Sequence, residues 1–258
     1  MNRWLEISAF IPKSVTDWPG RVSAVVFVPG CNYSCHYCYS GSLITAPNTA
    51  PRIEESAFFE SLDQNGWNVE GVTITGGEPT LQGNELIGFC EELQLNGLKV
   101  KLDTNGSKPL VLQTLLEEDL VDYVALDLKT ALFPKQYRDV TGVQANLSAI
   151  WKSVKILKWS GIDYEFRTTF VPSLVSAGDI VELSRQLSRG RRFVLQQFHA
   201  VPGIVNKRFE TAREPTYDQL LSIAKQIRGF QEVRIRTSKG EEVVSPAPTV
   251  QKIKAKKQ

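Results

Sequence analysis

Short β-branched runs alternate along this chain with longer stretches of helical period. Val22–Val28 (VSAVVFV), Gly71–Thr75, Leu98–Asp103, Val121–Leu128, Tyr164–Val171 and Phe193–Phe198 read as strands. Between and after them, Ile53–Leu62, Asn84–Leu95, Lys108–Glu117, Ala145–Ser160, Ala177–Ser188 and Tyr217–Arg228 place apolar residues at spacings of three and four, which predicts helices. Near-continuous apolar strands, each followed by a helix, imply an α/β fold with a mostly parallel sheet covered by helices. Periodicity leaves a barrel and a doubly wound sheet both open, but in either one the ligand site forms at the C-terminal ends of the strands. The polar clusters fall there: Cys31–Cys38 after the first strand, Gly76–Pro79 after the second, Thr104–Gly106 after the third, Asp127–Lys129 after the fourth and His199 after the sixth.

The chain predicts one domain over residues 1–238, with 239–258 as an extended or disordered tail, because strand and helical period fade there. Its 258 residues are enough for a single large core. Thirty basic against 28 acidic residues give a formal charge of +2, so no global field favours nucleic acid or an anionic membrane. The basic run Lys252–Gln258 reads as a solvated end. No stretch approaches the roughly 18 apolar residues of a membrane span, and the N-terminus lacks a signal-peptide pattern, so the expectation is cytoplasmic. Four cysteines are too few for a disulfide scaffold, and a tight group of them in a reducing compartment points to metal or redox chemistry.

Three of the four lie in Pro29–Tyr39 (PGCNYSCHYCY), where Cys31, Cys35 and Cys38 are spaced C-x3-C-x2-C on one short loop. Such a loop can supply three thiolates to a 4Fe–4S cluster and leave one iron open for a small chelating molecule. Two other readings use the same residues. A structural zinc site needs a fourth ligand from His36, Cys90 or His199; a thiol-disulfide exchange motif uses Cys35 and Cys38 but leaves Cys31 unexplained. Cys90 falls on a predicted helix, where a buried inert thiol is expected.

The cysteine spacing, with Tyr37 ahead of the last cysteine, resembles the signature of the radical S-adenosylmethionine (SAM) superfamily. Gly76-Gly77-Glu78-Pro79 is similar to that family's GGE motif, in which glycine backbone and the acidic residue hold the SAM amino group. Ser14–Gly20 (SVTDWPG), Asp103–Gly106 with Asn105, Asp127–Lys129, Tyr137–Gly142, Glu165–Pro172 and Gln196–Ala200 narrow the resemblance to glycyl-radical-enzyme activating proteins, nearest those of anaerobic ribonucleoside-triphosphate reductase. The resemblance implies a partial (β/α)6 barrel of parallel strands with one 4Fe–4S cluster on Cys31, Cys35 and Cys38. It also implies SAM as cofactor, 5'-deoxyadenosyl radical formation, and hydrogen abstraction from a glycine of a partner enzyme. Flavodoxin or ferredoxin is the expected electron donor.

By the same resemblance, Asp127, Lys129 and His199 line the SAM pocket, joined by Tyr37, Gly76, Gly77, Glu78, Pro79 and Asn105. Chemistry agrees: an ammonium at Lys129 can neutralise the SAM carboxylate, Asp127 can orient it or a ribose hydroxyl, and His199 can bond or stack near adenine. A structural Asp127–Lys129 pair and a core role for His199 stay open. Arg167 reads equally as a SAM or substrate contact and as a buried strand-end partner, and Asp17 with its WPG turn either closes the site or is a plain turn. Beside the activase reading stand a radical SAM enzyme acting on a small molecule or a different protein, and a non-enzymatic zinc or redox module.

Overall fold

A computed structural model describes residues 4–45, 47–64, 68–187 and 189–245. Among these residues nine strands form one sheet in sequence order: β1 (Ala9–Ser14), β2 (Ser23–Val28), β3 (Gly71–Gly76), β4 (Lys99–Thr104), β5 (Tyr123–Asp127), β6 (Asp163–Phe170), β7 (Gly190–Gln197), β8 (Phe230–Thr237) and β9 (Gly240–Ser245). From β2 to β8 every neighbour is parallel, whereas β1 and β9 run antiparallel at the two edges. Parallel neighbours need crossovers. These are built around α2 (Glu55–Gln64), α3 (Asn84–Leu95), α4 (Pro109–Glu117), α5 (Pro134–Thr141) with α6 (Leu147–Trp159), α7 (Ala177–Leu187) and α8 (Tyr217–Ala224). A one-turn α1 (Gly41–Thr45) follows the cysteine loop. The result is the expected α/β partial barrel, with its first and last strands unpaired to each other.

The two faces of the sheet differ in chemistry. Val100, Leu102, Phe166, Phe193, Leu195, Val233 and Ile235 belong to the main apolar core with the helices. Alternate positions on the same strands carry Lys101, Asp103, Glu165, Arg167, Arg192, Glu232, Arg234 and Arg236, which pair with one another across β4 to β8. Strand period 2 therefore puts hydrocarbon outside and an ion network inside. At the N-terminal ends of the strands Trp18 is 3% exposed and packs on Tyr123 and Ala125 in a second apolar cluster. The turn Trp18-Pro19-Gly20 thus closes the end of the barrel opposite the cysteine loop.

Two expectations change. The sheet has a seventh parallel strand, β8: FQEVRIRT sets Phe230, Val233 and Ile235 in the helix-side core, while Glu232, Arg234 and Arg236 face the ion network. Residues 240–245, expected to start a tail, form β9 and pair back on β8, so a boundary at 238 falls inside a hairpin. Residues 246–258, with the basic run Lys252–Gln258, lie outside the described residues. No helix among the described residues is long and apolar enough to cross a membrane.

Candidate active site

The cysteine loop leaves β2 and is tied down on three sides by backbone hydrogen bonds. Gly77 and Glu78 N–H donate to the carbonyls of Val28 and Gly30, each at 2.8 Å; Ser34 and His36 donate to Thr141 and Val140 at the end of α5; Val205 and Asn206 donate to Cys38 and His36. A Cβ on Gly77 would overlap the Gly30 carbonyl, and one on Gly76, at φ +107, would meet the Val28 backbone. The Gly-Gly pair is therefore required for the second loop to lie directly against the first.

Held this way, Cys31, Cys35 and Cys38 line one cavity of about 190 Å³ together with Tyr33, Tyr37, Gly76, Gly77, Glu78, Asp103, Asn105, Asp127, Lys129 and Arg167. Sequence reasoning had named all of these except Tyr33 and the side chain of Asp103. Asp103 lay in a motif already singled out, and Tyr33 was hidden between two cysteines. Pro79 is not in the lining; it opens a buried 3₁₀ turn, Pro79–Gln82. Cys90 sits fully buried on α3 in the apolar core, as expected of an inert thiol.

Burial pushes the Cys31 thiol up to about 11 and the Cys35 thiol up to about 12, and raises Cys38 as well, while the Lys129 ammonium pulls all three down. Such thiols keep their protons in the protein alone and become thiolates by exchanging them for metal. Three thiols lining one cavity beside a cation, with a buried Tyr33 hydroxyl that has no partner among the described residues, fit an anionic iron–sulfur ligand set.

Glu78 is 1% exposed. Its Oε1 accepts from Thr80 N (3.1 Å), Thr80 Oγ1 (2.5 Å) and Thr104 Oγ1 (2.6 Å), and its Oε2 accepts from Asn105 N (2.6 Å). The carboxylate knots the β3 and β4 loops together, leaving at most one acceptor position, on Oε2, for anything in the cavity. Asn105 itself donates to Asn32 at 2.9 Å and approaches Cys31 Sγ at 3.9 Å.

Across the cavity Arg167 binds Asp127 through two bonds, Nε at 2.6 Å and Nη2 at 3.0 Å, and reaches Asp103 at 3.0 Å. Lys129 Nζ stands 3.5 Å from Asp127, and Lys101 pairs with Asp103. Burial disfavours these charges, but Arg167 with Lys129 holds the Asp127 carboxyl far below the carboxylate range, and Arg167 with Lys101 lowers Asp103. Burial likewise opposes the charge on Lys129, and Asp127 holds its ammonium well above the usual value. Of the two roles the sequence left open for Arg167, the geometry gives it the ion partner on its strand, and its side chain also lines the cavity.

His199 is placed elsewhere. It lines a neighbouring cavity of about 620 Å³ with Asp17, Gln197, Arg236 and Glu241, and its Nδ1 lies 3.1 Å from Glu214. Its link to the cysteine loop is indirect, through its N–H to the Tyr39 hydroxyl at 2.8 Å. Asp103, Arg167 and Gln196 line both cavities and form the wall between them. Gln196 belongs to the Gln196–Ala200 segment that carries the resemblance, but only its place at the end of β7 sets it on that wall.

A cysteine-lined cavity at the C-terminal ends of an incomplete parallel barrel defines a class of metal-cluster enzymes. Residues 25–184 match the Radical SAM superfamily, and the chain belongs to it. Its cofactors are accordingly a 4Fe–4S cluster and SAM. It is 30% identical over 240 residues to a protein of Methanocaldococcus jannaschii whose name places it among the glycyl-radical enzyme activating enzymes, covering 91% of this chain and 97% of that one. Over 199 residues it is 30% identical to the pyruvate formate-lyase-activating enzyme of Streptococcus mutans, covering 72% and 74%. The solved structure of Streptococcus suis SuiB bound to SAM shares the fold, with a TM-score of 0.57 at 20% identity over 83% of this chain and 51% of that one.

Proposed function

We propose that Cys31, Cys35 and Cys38 hold the cluster, and that the enzyme abstracts hydrogen from a glycine of a partner protein, with anaerobic ribonucleotide reductase as that partner because the chain resembles the activating proteins of that enzyme. Bound there, the cluster and SAM supply reductive cleavage of a carbon–sulfur bond and a 5'-deoxyadenosyl radical. The chain's own residues bind and orient. Lys129 presents a compact cation to the SAM carboxylate, and Arg167 fixes Asp127 so that its carboxylate cannot swing away from the cavity. Gly76 and Gly77 bring the second loop against the cysteines, and Glu78 stiffens it.

One observation carries the protein-substrate reading. The cofactor cavity shares the wall of Asp103, Arg167 and Gln196 with a larger chamber, which is framed at both edges of the sheet: by Asp17, Pro19 and Gly20 after β1, and by Ser238, Gly240 and Glu241 in the β8–β9 hairpin. A chamber bounded by the open seam of the barrel suits a loop inserted from outside. Relatives named as activating enzymes point the same way. A one-electron donor of the flavodoxin or ferredoxin type completes the reaction, and the cytoplasm is its proposed location.

The test is an anaerobic, iron-reconstituted sample with SAM and dithionite. We expect iron uptake, formation of 5'-deoxyadenosine and, on adding the reductase, a doublet glycine radical signal in electron paramagnetic resonance. Cleavage of SAM without that doublet for any glycyl radical enzyme would move the assignment to a small-molecule substrate; a colourless protein with one zinc would overturn it entirely.

A further inference from the structure

Tyr33 sits between two of the three cavity cysteines, and the proposed function gives its hydroxyl no partner. Its backbone N–H donates to Cys31 Sγ at 3.4 Å, and its ring packs edge-on against Tyr137 at 6.3 Å and 75°. The side chain is 3% exposed, yet its hydroxyl has no hydrogen-bond partner among the described residues. Two other buried hydroxyls among the described residues share that state, Ser8 and Ser107, and neither lines the cofactor cavity. Two neighbouring phenols do have partners: Tyr137 accepts from Lys129 N at 3.3 Å, and Tyr39 accepts from His199 N.

A buried hydroxyl left unpaired is a net cost to the fold, whereas phenylalanine would fill the same ring space without it. The ring explains the packing, and only an acceptor missing from the protein explains the oxygen. The ribose and adenine of SAM bring neutral acceptors, but a hydroxyl set between two cluster cysteines is placed for the anionic ones, the sulfurs of the cluster and the carboxylate of SAM. We propose that the Tyr33 hydroxyl donates a hydrogen bond to such an acceptor in the loaded site, making it a binding residue for the cofactor pair. The inference rests on the reading of this cavity as the cluster and SAM site.

Tyr33→Phe tests it with three readouts. In the cluster-free protein the melting temperature should stay the same or rise; a fall would mean the hydroxyl is already bonded within the fold, and the proposal would fail. In the reconstituted protein, a redox titration and a SAM binding isotherm separate the two acceptors. If the acceptor is sulfur, the cluster's reduction potential moves downward, because a donor that eased the added electron is gone, and SAM affinity is kept. If it is the carboxylate, SAM binds about tenfold more weakly and the potential is kept. Normal iron uptake with neither quantity moved would overturn the hydrogen bond alone, whereas a wild-type protein that takes up no iron would sink both this proposal and the reading beneath it.

Discussion

Cys35 and Cys90 show why burial alone does not identify a ligand. Burial pushes each thiol up to about 12. Their surroundings differ: Cys35 lines the cavity with two other cysteines and Lys129, whereas Cys90 packs in the helix core beside Phe89. Cys35→Ala should therefore abolish iron uptake and SAM cleavage. Cys90→Ala should keep both and cost about 1 kcal/mol, from the small void left by its sulfur. Iron assay with urea denaturation checks the pair, and equal iron loss in both would mean the ligands are wrongly assigned. Lys129 acts on a different property. With its ammonium 3.5 Å from Asp127 and facing the cavity, Lys129→Ala should weaken SAM binding about tenfold at unchanged iron content. Loss of iron along with affinity would make the lysine a structural support of the cysteine loop.

At the scale of elements, the site depends on the register of β4, β5 and β6. Asp127 and Arg167 are direct partners in the β5–β6 register, and the guanidinium then spans to Asp103 on β4. Removing it leaves two buried carboxylates with only their lysines, so Arg167→Met should destabilise by about 3–5 kcal/mol. The pH dependence has a definite sign. Asp103 and Asp127 have folded values below the unfolded one of about 3.9, so their stabilisation is complete above that pH and is lost as pH falls toward the folded values. The urea midpoint of the wild type should show no pH dependence from these acids between about pH 5 and 8, where their full contribution is present, and should drop below about pH 4. The gap between Arg167→Met and wild type should narrow over that same drop, and a constant gap would show that the clamp is not electrostatic. The parallel strands were legible because their helix side is continuously apolar, and the cysteine spacing, the Gly-Gly pair and the Asp127–Lys129 segment were legible as local patterns. The strand β8 was not, since every second residue answers to charges on β6 and β9. Nor could local sequence show that Glu78 would be claimed by Thr104 and Asn105 from the next strand, or that His199 would turn toward Glu214.

For the whole molecule, the consequence of an unclosed sheet is a division of labour between two cavities. The cysteine cavity holds every residue expected to touch cluster and SAM except Pro79 and His199, while the larger one is bounded by chain next to both edges of the sheet. Asp17 belongs only to the second. Its carboxylate accepts from the Ser14 hydroxyl at 2.5 Å and from Thr16 at 3.4 Å, and it has no ion pair among the described residues, in contrast to the paired Asp103 and Glu241 of the same chamber. An acid with no cation beside it is placed to accept from the N–H groups of an incoming peptide backbone. If the larger cavity receives the partner's glycine loop, Asp17→Asn should leave the rate of 5'-deoxyadenosine formation with dithionite unchanged when no partner is present. With the partner, the yield of glycine radical per SAM cleaved should fall about tenfold, the loss expected for one charge-assisted hydrogen bond. Paired product analysis and electron paramagnetic resonance on one sample measure both. A parallel loss of SAM cleavage without partner would place Asp17 in the cofactor site and erase the division, and an unchanged radical yield would move the entry of the glycine loop away from the seam.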